Sequence, residues 1–359
     1  MEPILMKGNE VLAQAAIFAG CRQYFGYPIT PQTEIAAYMS RQMPKAGGVY
    51  LQAESEVAAI NMVLGAGAAG GRAMTSTSSP GLSLMTEGIS YIAGMDIPCL
   101  IVNVQRGGPG LGGIQPSQAD YWQATRALGH GDFHVMVFAP SSVQEIADLV
   151  PRAFDLADQY RVPAMFLMDG SLGQMMEPVA FPDKPADPGA LPEKPWAAVG
   201  NGGKRPNNIL NSLMLKAPVL EASVLERFDR YEAIKQELCE YEAYRTGDAQ
   251  IVLVAYGTTA RIAKSVVDEA RKEGIKAGMF RPVTLWPYPY EPLSRLSARC
   301  FLAVEMSMGQ MVEDVRLAVN GRAPVHFYGR TGGMIPRPNE VLKRVRALAK
   351  DPSGKGADR

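Results

Sequence analysis

The chain has 359 residues, too many for one ordinary domain and suited to two, each with its own core. Lys plus Arg and Asp plus Glu are equal at 36 each, so no net field favours nucleic acid or an anionic membrane, and a small substrate or a protein partner is expected. Four scattered cysteines, Cys21, Cys99, Cys239 and Cys300, form no CxxC pair; they fit reduced cytosolic thiols and leave no way to hold zinc or an iron-sulfur cluster on this chain. The amino-terminal MEPILMKGNE lacks a basic segment followed by an apolar one, and the most apolar run, 57 to 71, is too short to span a bilayer. The chain therefore reads as soluble and cytoplasmic.

From residue 9 to about 168, helix-period and strand-like runs alternate: NEVLAQAAIFAGCRQ, YFGYP, TEIAAYMSRQM, GGVYLQ, SEVAAINMVLGAGAAG, RAMTST, CLIVNVQ, VQEIADLVPRAFDLADQY and PAMFLMD. CLIVNVQ, HVMVFAP and PAMFLMD are apolar at both alternating positions, as in a parallel sheet covered on both faces, which predicts an α/β layer fold. From 169 to about 219, prolines from Pro178 to Pro206, with Gly200, Gly202 and Gly203, argue against regular structure and predict a linker. Residues 220 to 245 carry helical apolar spacing and a charged face, which predicts a connecting helix. The βα rhythm returns with AQIVLVAYG, TARIAKSVVDEARKEG, IKAGMF, RCFLAVEM, GQMVEDVRLAVNG, PVHFYG and PNEVLKRVRALAK, predicting a second, smaller α/β domain. The final DPSGKGADR is expected to fray.

A literal GxGxxG at Gly65, Gly67 and Gly70 does not read as a dinucleotide site, because that fingerprint needs a strand before it and a helix after it, and here the order is reversed. YPITP sets Tyr27, Pro28, Ile29, Thr30 and Pro31 at the carboxyl end of a strand, where open α/β sheets bind ligands. The competing reading is a turn in which Thr30 caps a helix with Pro31 at its first position. Glu54 and Glu56 open a helix, where acids ordinarily complement the macrodipole. The apolar flank of Glu56, Val57 to Ile60, would partly desolvate it, a setting suited to proton chemistry. Arg106 ends a strand and starts the loop GGPGLGG, placed either to grip a carboxylate bidentately or to sit solvated. TSTSSPGLSLMTEG offers hydroxyls that line a cofactor or cap a helix. Of the histidines, His130 is a weak site candidate, whereas His134 and His326 lie in strand runs and read as packed. Without a nucleophile and base pair, a hydrolase has little support.

These stretches together resemble the alpha subunit of the 2-oxoacid:ferredoxin oxidoreductases, thiamine diphosphate enzymes that oxidatively decarboxylate 2-oxoacids to acyl-CoA. The resemblance runs through GYPITPQTEI, LQAESEVAAINM, TSTSSPGLSLMTEGISY, VNVQRGGPGLGGIQPSQAD and GHGD, and continues through VAYGTTARIAKSVV, EGIKAGMFRPVTLWPYP, AVEMSMGQMVEDVR and GRTGGMIPRPNEVL. It is closest to the branched-chain, 3-methyl-2-oxobutanoate type, with the 2-oxoglutarate type next.

The resemblance implies a doubly wound, pyrimidine-type thiamine-diphosphate-binding domain at 1–180, a linker and connecting helix at 181–247, a transketolase-carboxyl-terminal-like α/β domain at 248–350 and a tail at 351–359. Glu56 matches the family glutamate that hydrogen-bonds N1′ of the aminopyrimidine. Thr30 and Arg106 match the positions that hold the substrate carboxylate and keto group, and Tyr27 and Pro28 would line the thiamine pocket. No GDG-like stretch followed by Asn is present for a magnesium-diphosphate site. The resemblance therefore implies that Mg2+ and a [4Fe-4S] cluster belong to a beta subunit, and further clusters to a ferredoxin-like delta subunit, with a gamma subunit completing the complex. CoA is the co-substrate and an external ferredoxin the acceptor. The alternatives are a 2-oxoglutarate or aryl 2-oxoacid enzyme and, from another class, a scaffold subunit; the presence of Glu56, Thr30 and Arg106 speaks against the scaffold.

Overall fold

The computed structural model describes residues 2–126 and 128–354. In chain order the first part contains β1 (Ile4–Lys7), α1 (Gly8–Phe18), β2 (Gln23–Gly26), α2 (Thr33–Gln42), β3 (Val49–Gln52), α3 (Glu56–Ala68), β4 (Ala73–Thr77), α4 (Ser79–Gly94), β5 (Leu100–Gln105), α5 (Tyr121–Thr125), β6 (Met136–Phe138), α6 (Val143–Tyr160), β7 (Ala164–Asp169), α7 (Gly170–Gln174) and β8 (Met176–Val179). The remainder contains α8 (Ala217–Glu237), β9 (Tyr241–Tyr244), β10 (Ile251–Val254), α9 (Gly257–Lys272), β11 (Ala277–Pro282), β12 (Thr284–Trp286), α10 (Tyr290–Ser294), β13 (Cys300–Glu305), α11 (Met311–Val319), β14 (Val325–Gly329) and α12 (Pro338–Lys350).

A seven-stranded sheet runs β12-β6-β7-β5-β4-β2-β3, parallel except for β12. Its centre is β5 and β7, in which every residue is buried, and it is flanked by the helix pairs α1/α6 and α3/α4. Each fully buried Leu, Ile, Val, Met or Phe contributes about 1.5–3 kcal/mol of transfer free energy, so runs apolar on both faces are stable only where helices cover both. The chain steps outward from β2 to the edge strand β3, and α3 then carries it back across β2 to β4. The winding reverses between β2 and β4, and in such sheets a crevice opens there at the carboxyl ends of the strands. A five-stranded sheet, β14-β13-β10-β11-β9, forms the second unit, with β9 the antiparallel edge.

The structure departs from the sequence reading in several places. The helix expected over 220–245 spans Ala217–Glu237, and its last stretch instead forms β9, pairing Tyr241–Tyr244 with Met279–Pro282. Tertiary pairing there overrides the helical period. Within the stretch read as irregular from 169 onward lie α7 and β8, and β8 pairs antiparallel with β1 in a separate two-stranded ribbon. β12 falls in the stretch assigned by sequence to the second unit, yet it completes the first sheet beside β6. Of the tail 351–359, residues 355–359 lie outside the described residues.

The two units share a polar seam. Asp169 accepts from Ser171 N at 2.9 Å and Leu172 N at 3.2 Å, capping α7, and from Thr258 Oγ1 at 2.9 Å in the second unit. Burial pushes the Asp169 carboxyl pKa up, against these hydrogen bonds. Gln118 Nε2 donates to Tyr256 O at 2.8 Å, and Gln118 Oε1 accepts from Met306 N at 3.0 Å. No described helix is long and apolar enough to cross a membrane.

Candidate functional site

Four neighbouring strands, β3, β2, β4 and β5, deliver their carboxyl-terminal residues to one edge of the sheet around the winding reversal. After β2 the chain forms the Tyr27 to Pro31 loop. Thr30 does not cap α2: that helix starts at Thr33, and the residue before it, Gln32, makes no side-chain cap. Gln32 is instead turned under the loop, where its Nε2 donates to Tyr27 O at 3.3 Å. Ser76 Oγ donates to Gln32 Oε1 at 2.6 Å, and Tyr24 OH shares a 2.7 Å bond with Ser76. Gln32, Ser76 and Tyr24 are fully buried, so the loop is fixed from below, while Tyr27, Pro28 and Thr30 are exposed above.

After β3, Ser55 caps α3 by accepting from Ala58 N at 3.2 Å, which makes Glu56 the first helical residue. Glu54 stays exposed, whereas Glu56 is 6% exposed and its carboxylate has no ion pair or hydrogen bond among the described residues. A carboxylate on a residue this buried, with no partner among the described residues, stands where a bound group could satisfy it. At the end of β4, Thr77 Oγ1 and the following Ser78 Oγ are buried without partners. Gly81, in the first turn of α4, lies against them: a Cβ there would collide with Thr77 Oγ1 and stand 2.7 Å from Glu56 Oε1.

After β5, Arg106 is 7% exposed, which excludes a solvated loop arginine. Its Nη1 donates to Thr30 O at 3.0 Å and its Nη2 to Leu111 O at 3.2 Å, while Nε is buried and unpartnered. No described carboxylate forms an ion pair with it, so this guanidinium keeps an uncompensated charge at the strand end. The structure thus joins Thr30 to Arg106 directly, and α4 links Arg106 to Glu56: Ser79 bonds the Arg106 backbone, and Gly81 packs on Glu56. A cavity of about 400 Å3 opens beside Thr30 and Pro31, walled on its other sides by Ile114, Gln115 and Gly170. Around the edge, Tyr27, Val57, Leu84, Leu111 and Ile114 are exposed apolar side chains. The arrangement gathers an unpaired anion, Glu56, beside the buried hydroxyl of Thr77 around Gly81, with Ser78 just before α4, and an unpaired cation, Arg106, beside Thr30, along one edge of the sheet.

The other sequence candidates are not brought here. His130 is exposed, its N–H donating to Ser90 Oγ at 2.9 Å; His134 stacks on Trp286 with centroids 4.5 Å apart; His326 Nε2 lies 2.9 Å from Pro352 O. Gly65 and Gly67 lie in the last turns of α3 and Gly70 just beyond it. A Cβ at Gly67 would stand 2.6 Å from Ile97 and Gly70 takes a positive φ past the helix end, whereas a Cβ at Gly65 would meet open space, so helix packing and termination account for Gly67 and Gly70. Among the described residues no group of His, Cys, Asp or Glu is arranged as a metal-ligand set. Sequence reasoning missed Gln32, Gly81 and Asp120. Only Gly81 carried a local signal, as a small residue directly after the hydroxyl run TSTSSP.

Comparison with known proteins falls in line with this geometry. Residues 14–249 match the family model for the thiamine-diphosphate-binding domain of pyruvate flavodoxin/ferredoxin oxidoreductase, and residues 249–341 match core domain II of pyruvate:ferredoxin oxidoreductase. The ketoisovalerate oxidoreductase subunit VorB of Methanothermobacter marburgensis is 46% identical, over 96% of this chain and 97% of its own length. The 2-oxoglutarate synthase subunit KorA of the same organism is 38% identical, over 97% of this chain and 99% of its own. A solved structure, 2-oxoglutarate:ferredoxin oxidoreductase from Magnetococcus marinus with 2-oxoglutarate, coenzyme A and succinyl-CoA bound, superposes with a TM-score of 0.84 at 26% identity. It covers 97% of this chain, which spans 65% of that longer chain. A split-gene transketolase shares the fold, with a TM-score of 0.60 at 13% identity.

Proposed function

The chain belongs to the 2-oxoacid:ferredoxin oxidoreductase family, and from that premise we propose that it is the alpha subunit of an enzyme converting 3-methyl-2-oxobutanoate and CoA to acyl-CoA, CO2 and reduced ferredoxin. The observation that carries the reading is the unpartnered carboxylate of the buried residue Glu56 at the winding reversal. It fits the aminopyrimidine end of thiamine diphosphate: Glu56 would hydrogen-bond N1′, Gly81 leaves room above the carboxylate, and the free hydroxyls of Thr77 and Ser78 offer further bonds. When bound, the cofactor supplies the carbon nucleophile and the electron sink that decarboxylation needs.

This chain's own residues bind and orient. Tyr27 and Pro28 line the cofactor, and their loop is held rigid from beneath by Gln32. Thr30 and Arg106 hold the carboxylate and keto group of the 2-oxoacid, and the substrate supplies the anion that Arg106 lacks within the chain. Residues 1–180 supply the site, 181–247 connect, and 248–350 buttress it through the Gln118 and Asp169 contacts. The crevice is open on its outer side and ringed by apolar residues, which suits a docked beta subunit carrying the diphosphate, Mg2+ and a [4Fe-4S] cluster; gamma and delta subunits complete a cytoplasmic assembly.

The 46% identity to a ketoisovalerate oxidoreductase subunit favours the branched-chain substrate, and the 38% identity to a 2-oxoglutarate synthase subunit makes 2-oxoglutarate the second reading. The test is viologen reduction by the assembled complex, with CoA, on 3-methyl-2-oxobutanoate, 2-oxoglutarate, pyruvate and phenylglyoxylate in turn. Preference for the branched acid is expected; preference for 2-oxoglutarate moves the substrate, and turnover of none overturns the reading.

A further inference from the structure

The hydrogen bonds at the start of α4 reach past the residues assigned so far. Ser79 Oγ accepts the backbone N–H of Arg106 at 3.0 Å. Its single proton has two acceptors in view, Asp120 Oδ2 at 2.5 Å and Arg106 O at 3.3 Å. A bond to an ionised carboxylate is shorter and roughly twice as strong as one to a neutral carbonyl, so the proton goes to Asp120. With the proton drawn there, the hydroxyl lone pairs face Arg106 N–H.

Asp120 is itself fixed. Asn103 Nδ2 donates to the same Oδ2 at 2.9 Å, and the Asp120 N–H donates to Gln105 Oε1 at 3.1 Å. Asn103 Oδ1 accepts from Ser79 N at 3.0 Å, closing the ring of contacts around the end of β5. Ser79 is not spent on capping, since the residue before α4 is Ser78 and it makes no side-chain cap. Gln118, two residues before Asp120, is tied to Tyr256 and Met306 of the second unit, so the segment bearing Asp120 is anchored from outside the first sheet.

We propose that Asp120 and Ser79 form a positioning relay for Arg106, in which the Asp120 carboxylate orients the Ser79 hydroxyl and the hydroxyl sets the place of the Arg106 main chain. The relay fixes where the guanidinium stands at the crevice and so how tightly the 2-oxoacid carboxylate is held. It rests on the reading of Arg106 as the carboxylate-binding group. Asn103 and Gln105, both fully buried, are the frame on which it turns.

The test uses the assembled complex with steady-state viologen reduction. Ser79→Ala and Asp120→Ala each raise KM for the 2-oxoacid about tenfold, the scale of one lost charge-assisted bond, while KM for CoA stays put. Asp120→Asn, which keeps an acceptor oxygen for both donors, and Ser79→Thr, which keeps the hydroxyl, recover most of the loss. The double variant Ser79→Ala/Asp120→Ala is no worse than either single one, because both act through one chain of bonds. Should Ser79→Ala fail to assemble, Ser79→Cys preserves volume while weakening both bonds, and the same rise in KM is expected. An unmoved KM in the Ser79 and Asp120 variants, or multiplying effects in the double variant, overturns the relay. If Arg106→Gln raises KM for the 2-oxoacid while the other two do not, only the relay fails; if Arg106→Gln leaves it unmoved, the reading of Arg106 falls and the relay with it.

Discussion

Substituting Gly81 by alanine adds one methyl group directly over the Glu56 carboxylate. The built Cβ stands 2.7 Å from Glu56 Oε1 and 2.9 Å from Glu56 Cγ, and it collides outright with Thr77 Oγ1. Ordinary contact needs roughly 3.4 Å, so the carboxylate must retreat by about 0.7 Å and the Thr77 hydroxyl by more. Thr77 has little slack, because it is fully buried on a central strand, whereas the Glu56 carboxylate, held by no hydrogen bond among the described residues, must swing away from its place. Overpacking of this kind costs about 1–3 kcal/mol, partly offset by about 1 kcal/mol of helix propensity gained on replacing glycine. Gly81 has no positive φ, so backbone strain does not contribute. Stability should therefore fall by no more than about 2 kcal/mol. Function should suffer far more: a displacement approaching 1 Å at a proton-handling group costs on the order of a hundredfold in rate. The assay is thiamine-dependent viologen reduction by the Gly81→Ala complex, beside a thermal unfolding curve. A variant that turns over at the native rate, with Tm unchanged, would refute the claim that the glycine clears space for Glu56 and its ligand.

Glu56→Gln keeps the volume but removes the carboxylate; kcat should drop by about two to four orders of magnitude, with Tm steady, and retained turnover would dismiss the proton role. Arg106→Gln should raise KM for the 2-oxoacid by ~2 to 3 kcal/mol, about 30- to 150-fold, measured against KM for CoA as an internal control. Thiol chemistry reports the packing independently. Burial pushes Cys21 and Cys99 up to about 12 and Cys300 to about 11, whereas Cys239 is raised but only half-buried. Iodoacetamide at pH 8 should modify Cys239 first, faster as pH rises and the thiolate fraction grows; equal labelling of Cys21 by peptide mass would contradict the fold.

The α/β class was legible because CLIVNVQ and PAMFLMD are predominantly apolar on both alternating faces, and only a sheet covered on both faces gives such runs a home. The strand-end positions of Tyr27, Glu56 and Arg106 followed from the same rhythm, since a βα succession fixes which residues lie at the carboxyl edge. What stayed hidden depends on contacts between distant segments. YEAY at 241–244 carries a helical period and becomes a strand because β11 offers it an edge. The competing reading of Thr30 as a helix cap fails because the helix starts later, at Thr33. Nothing local distinguishes Glu56 from Glu54 beyond its flank; their difference is that α4 closes over one of them. Asp120 sits in an ordinary polar loop, and its importance comes from Ser79, 41 residues away.

The transfer of β12 into the first sheet bears on how this protein can be taken apart. Ala139 N donates to Val283 O at 2.8 Å, and β12 covers the outer side of β6. A fragment ending at the boundary between the two family matches, near residue 249, would leave that side bare and open to strand-mediated association with other copies. Exchange of the carboxyl-terminal part between relatives would likewise import a foreign edge strand into a sheet shaped for its own. The first sheet thus depends on a strand from the second half, and chimaeras that keep it intact need a crossover placed after Trp286 rather than between the domains.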